Sequence, residues 1–126
     1  MANLTSEQVK ELADNLLRMT NALGDFRYEN YSKLNPQENK RLKELHNNLL
    51  EQTTELYTKS AVLVLDDAEE SLNKVKVITA KTQELYSNLD NIQKGINWAT
   101  KILGMASAIL SLNTESIAAS IKSIIS

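Results

Sequence analysis

The stretch ITAKTQELYSNLDNIQKGINWATKILGMASAIL, residues 78–110, decides the fold. Ile78, Thr82, Leu85, Leu89, Ile92, Ile96, Ala99, Leu103, Ala106 and Leu110 recur along it at alternating spacings of four and three. Such spacing holds one side of an α-helix against a neighbour, as in a coiled coil or a long-helix bundle. Gly95 interrupts the seam in chemistry but not in phase. Two structures satisfy this. Either one helix ends at Gly95 and Asn97 caps the next, or a single helix runs through a weak point costing about 1 kcal/mol. Unbroken over residues 67–112, that helix would be ~70 Å long. This is out of proportion to a 126-residue chain, so a break or bend is expected near Gly95.

Downstream of Gly95 a second seam appears, made of Trp98, Ile102, Met105, Ile109 and Leu112. Only a narrow strip of Asn97, Lys101, Gly104, Ala108 and Ser111 separates the two seams on the remaining side. A helix this apolar must be covered on most of its surface. Two covers are expected. The terminal isoleucines can fold back over the second seam, or a partner can bury it, since Trp and Met are enriched in interface cores. Gly104 and Ala108, four apart, would also let another helix approach closely.

Outward from this segment, boundaries are marked by local capping signals. Thr5 and Gln8 have the spacing of a capping box, and Val9, Leu12, Ala13, Leu16, Leu17 and Leu23 follow on one face. Gly24-Asp25 suits a stop and restart, with Tyr28, Tyr31 and Leu34 keeping the face. Asn35, Pro36 and Glu38 form a second start signal, and Leu42, Leu45, Leu49, Leu56 and Leu63 point a second helix at the core as far as about Leu65. Asn113-Thr114-Glu115 restarts the chain for a terminal helix with Ile117, Ile121, Ile124 and Ile125 on its apolar side. Every isoleucine lies at or after Ile78, so core chemistry shifts from leucine to isoleucine and alanine along the chain.

Composition agrees with helices throughout: 3 Gly, 1 Pro and 5% aromatic residues leave few turn or strand formers. The net charge of −2 recruits no nucleic acid. Residues 1–70 carry 13 acids against 8 bases, and residues 71–126 carry 3 against 6. The two halves are expected to complement each other within one fold, in preference to recruiting an anionic partner, since small imbalances are screened. Without cysteine there is no disulfide framework or thiolate chemistry. The uncharged run from Ile102 to Thr114 is 13 residues, short of the ~20 a spanning helix needs. The polar opening MANLTSEQVKEL lacks a signal peptide's apolar core, so a cytoplasmic location is expected.

Catalytic motifs are missing. The one histidine, His46, has no nucleophile near it in sequence and is expected to be solvated or cap-like. Asp66, Asp67, Glu69 and Glu70 invite a metal site, yet an Asp with a Glu three residues on is capping chemistry at a helix start. Lys40, Arg41 and Lys43 are flanked by Glu38 and Glu44, without interleaved aromatics for stacking bases. Tyr57 and Tyr86 are expected to be half-buried with wetted hydroxyls.

The sequence thus describes an all-α protein: one domain over residues 1–126, an antiparallel bundle of about four helices with a coiled-coil-like seam in its second half. An extended helical hairpin is the alternative. The expected role is a non-enzymatic interaction or self-assembly module, whose protein partner or second copy contacts Trp98, Ile102, Met105, Ile109 and Leu112. Against it stands a membrane-surface role for residues 95–125, where Lys94, Lys101 and Lys122 accompany the apolar face. No cofactor, metal, nucleic acid or small-molecule substrate is expected.

Overall fold

A computed structural model describes residues 2–58, 64–65, 68–89, 91–111 and 114–125. Its first helix, α1 (Ser6–Glu29), starts on the expected capping box. The Thr5 hydroxyl accepts the Gln8 amide at 3.1 Å, and the Gln8 side chain accepts the Thr5 amide at 2.9 Å. Such reciprocal bonds satisfy two amides that the first helical turn would otherwise leave bare. The helix runs unbroken through Gly24-Asp25, where a stop and restart was expected. Continuity sets its face. Leu23 and Phe26 are buried, whereas Tyr28 and Tyr31 are 84% and 60% exposed and do not join the core. After a 3₁₀ turn at Tyr31–Lys33 comes α2 (Pro36–Thr58). Asn35 Oδ1 accepts the Glu38 amide at 2.8 Å, and Glu38 returns a carboxylate oxygen to the Asn35 amide at 3.0 Å.

The second helix is described as far as Thr58 and does not reach Leu65. Val64–Leu65 instead form a two-residue strand, β2, antiparallel to β1 (Ala2–Asn3), with Asn3 opposite Val64 and Ala2 opposite Leu65. A pairing this distant in sequence leaves no local pattern to read. Leu63, Asp66 and Asp67 lie outside the described residues.

The long seam divides into α3 (Ala68–Asn88) and α4 (Ile92–Leu110). The break therefore falls before Gly95, which sits inside the first turns of α4. Asn91, not Asn97, is the cap, its side chain accepting the Lys94 amide at 3.2 Å. The final helix is α5 (Thr114–Ile125), the restart expected from Thr114-Glu115.

These helices close a circuit of neighbours. The first packs on α2 and α3, α2 on α4, α4 on α5, and α5 back on α3. Their shared core carries leucines from α1 and α2 and isoleucines from α3, α4 and α5. Four threonines, Thr20, Thr53, Thr79 and Thr82, are buried among them. Each donates its hydroxyl to the carbonyl four residues earlier, at 2.7–2.9 Å. This local bond removes the 1–3 kcal/mol cost, roughly, of burying a lone hydroxyl. All-helical apart from the β1–β2 pairing, the architecture is a bundle of five helices among the described residues. None of them is long and apolar enough to cross a membrane.

Candidate functional site

Of the two covers expected for the second seam, the chain supplies the first. Ile102, Met105 and Ile109 are only 1%, 1% and 2% exposed. α5 packs on α4 with Ile117, Ile121 and Ile124 buried in the same core. Burying an isoleucine is worth about 1.5–3 kcal/mol, so three of them make a substantial clasp. These residues thus form the interior of the chain's own bundle and are not a bare face. Leu112 lies outside the described residues.

Among the described members of that seam Trp98 is the one partly open to solvent, and its polar end is already engaged. The indole Nε1–H donates to Thr82 Oγ1 at 2.8 Å, while the Thr82 hydroxyl donates to the Ile78 carbonyl at 2.7 Å. The relay explains why a threonine occupies an otherwise apolar seam: it is the acceptor for the lone indole. A hydroxyl standing alone in that pattern was the available clue.

Around Trp98 opens a groove of about 460 Å³ lined by Lys81, Glu84, Leu85, Asn88 and Leu89 of the α3 end, and by Ile124 and Ile125 of α5. Leu85, Leu89, Trp98 and Ile125 are half-buried apolar side chains packed at the margin of the core. Lys81 and Glu84 are exposed at the rim, and Lys81 Nζ donates to the Ile125 carbonyl at 3.4 Å. Leu85 and Leu89, expected in the seam between helices, are half-buried and line this groove.

Behind the groove lies a tightly packed junction. Tyr86 donates its hydroxyl to the Gly95 carbonyl at 2.7 Å, and its ring lies 4.9 Å from that of Phe26 at an interplanar angle of 43°. Burial pushes the Tyr86 phenol well above its ordinary pKa. Contrary to expectation, its hydroxyl is not wetted. Tyr57 is closer to the expected picture: partly exposed, it donates to Asp14 Oδ1 at 2.5 Å. Desolvation, helped by the Asp14 carboxylate, pushes that phenol up to about 12.

Other candidates converge less. A polar groove of about 460 Å³ between α1 and α3 is lined by Arg18, Asn21, Asp25, Glu29, Gln83 and Ser87 over Phe26 and Tyr86. Its charges are of both signs, and its phenol is committed to Gly95. His46 is half-buried at the contact of α1 and α2, with its ring over Gly24. Glu69 and Glu70 are exposed, and Glu70 pairs with Lys74 at 3.2 Å. Among the described residues no three His, Asp or Glu side chains gather as a metal site. Gly104 is exposed, with no neighbour within 4 Å of where a Cβ would stand, and faces Ala119, Ser120 and Ser123 of α5 across an open groove without close contact.

No family model, curated protein or solved structure gave a significant match to this chain.

Proposed function

We propose that the chain is a non-enzymatic helical interaction module, one antiparallel bundle over residues 1–126, that binds an amphipathic helix of a protein partner in the groove around Trp98. The observation that carries this reading is the clustering of Leu85, Leu89, Trp98 and Ile125 at one groove mouth with charged residues at its rim. Apolar anchors at the centre with polar groups around them are the usual anatomy of a recognition site. A helix reads such a groove through residues spaced three and four apart. The interface foreseen from sequence is thereby narrowed. Trp98 stays in it, while Ile102, Met105 and Ile109 support it from inside.

Selection from a displayed library of amphipathic helical peptides tests the reading. Selected helices should shift Trp98 emission and move amide resonances chiefly within residues 81–98. Failure to recover any helix with that response overturns it. The same titration with anionic vesicles tests the membrane-surface alternative. A Trp98 response to vesicles and not to helices assigns the apolar segment 95–125 to lipid.

A further inference from the structure

We infer that α5 is exchanged between two copies of the chain, each terminal helix filling the slot between α3 and α4 of the other copy. The slot lies beneath α5 and is separate from the groove mouth at Trp98, so the inference stands apart from the helix-binding reading. The structure shows what the slot takes. α3 and α4 hardly pack on each other directly, and α5 lies against both, completing the circuit between them. Its Ile117, Ile121 and Ile124 are spaced four and three apart and are all buried. Such spacing is how a helix occupies an apolar groove. The α5 of a second copy carries the same face and makes the same contacts, which is the condition for domain swapping.

What singles this helix out for exchange is its junction with α4. Ser111, just past the end of α4, keeps right-handed helical torsions of φ −72° and ψ −13°. Its amide still donates to the carbonyl four residues back, that of Ser107, at 3.0 Å. Neither glycine nor proline, the strongest helix breakers, stands between Leu110 and Thr114. If α4 runs on into α5, the apolar faces join in phase. Ile117, Ile121 and Ile124 follow Leu110 by seven, eleven and fourteen residues, close to two, three and four helical turns. They then stand in line with Ile96, Ala99 and Ala106, the buried side chains of α4 on that face. One side of a single helix thereby rests its first part on its own bundle and its last part on a neighbouring one. Within one chain, Ile124 near the end of α5 lies beside Trp98 near the start of α4, so the two helices run antiparallel. Two long helices antiparallel across a two-fold axis keep that arrangement, fill both slots and close the assembly at two copies. Detached from any slot, α5 has twelve residues, short for a helix alone in water.

The test is to refold the full chain at a series of concentrations and follow it by sedimentation velocity, with circular dichroism as a check on helix content. The wild type should yield a dimer whose share rises with refolding concentration and which returns to monomer slowly on dilution. Asn113→Ala favours the continuous helix and should raise the association constant by about tenfold. Two glycines inserted after Leu112 break that helix and ease the fold-back, and should lower it by about a hundredfold or more. Cross-linking reads which chain supplies α5. Lys101 of α4 and Ser123 of α5 line one groove, and the chain has no cysteine of its own. Chains carrying Lys101→Cys and chains carrying Ser123→Cys, refolded together, should be joined by a short bismaleimide into a mixed covalent pair. A wild type monomeric at every refolding concentration overturns the inference. So does a dimer indifferent to both junction variants, or one in which the mixed pair does not form. None of these results bears on the helix-binding groove, whose test is the Trp98 response.

Discussion

Gly24 and Gly95 stand in equivalent local settings and do different work. The sequence around each invites a helix end, and at neither does the helix end. A methyl at Gly24 would lie 2.9 Å from His46 Nε2, the tip of a half-buried ring that can turn away. A methyl at Gly95 would lie 2.9 Å from Phe26 Cε2 and 3.1 Å from both Phe26 Cζ and Leu89 Cδ2. Phe26 cannot yield, being fully buried and packed on Tyr86. The lesson is that a mid-helix glycine is explained by what leans on it. At Gly24 the neighbour is movable. At Gly95 it is the core.

The largest effect that would break this comparison comes from the core side. Phe26→Ala should cost about 3–5 kcal/mol in chemical denaturation. Gly95→Ala should cost a net 1–2 kcal/mol or so, overpacking outweighing the helix propensity gained. Combined, the two changes should couple: with the ring gone, Gly95→Ala turns neutral or favourable, and simple additivity would refute the assigned contact.

Next comes Tyr86→Phe, expected to cost about 0.5–1.5 kcal/mol by removing the bond that ties α3 to the Gly95 carbonyl. The Tyr86 pKa is raised by burial, so its stabilisation is fully present below the unfolded phenol's value of 10.0 and declines as pH rises beyond it. The gap in stability between wild type and Tyr86→Phe should therefore be constant up to about pH 10 and shrink above it. A gap that widens in alkali would contradict the burial.

Smallest are the glycines without a fixed neighbour. Gly24→Ala should lie within about 1 kcal/mol of neutral, the propensity gain offsetting a turn of the His46 ring. Gly104→Ala meets no atom within 4 Å and should stabilise the isolated chain by up to about 1 kcal/mol. Melting temperatures of the three alanine variants, ranked Gly104, Gly24, Gly95 from highest to lowest, sharpen the contrast.

The same pair of sites shows what a chain of letters conveys. Helix starts were legible because caps are local: Thr5 with Gln8 and Asn35 with Glu38 act within four residues. Apolar faces were legible through periodicity, and the role of Ile117, Ile121 and Ile124 as a cover was one of two options weighed. Helix ends were harder. Asn88, Leu89 and Asn91 form a stop and a cap, but the seam keeps its phase across them, so Gly95 drew the attention instead. Phe26 went unnoticed because the face was re-set after Gly24, whereas an unbroken helix carries it on from Leu23. The groove was illegible for a deeper reason. Both seams of α4 are largely buried, and which of their residues stay at the margin depends on where α2 and α5 stand, which no spacing along α4 encodes.

The hydroxyls of Thr20, Thr53 and Thr79 are satisfied inside their own helices, and the bond between Thr20 and Thr53 is long at 3.5 Å. Where α3 meets α4 the arrangement is otherwise: Tyr86 to Gly95 and Trp98 to Thr82 are directional bonds between the two helices. Two such bonds, set nine and sixteen residues apart in sequence, act as a pair of rivets that fix the angle of one groove wall. A visiting helix therefore meets a preorganised surface there, and little conformational entropy is lost in shaping it on association.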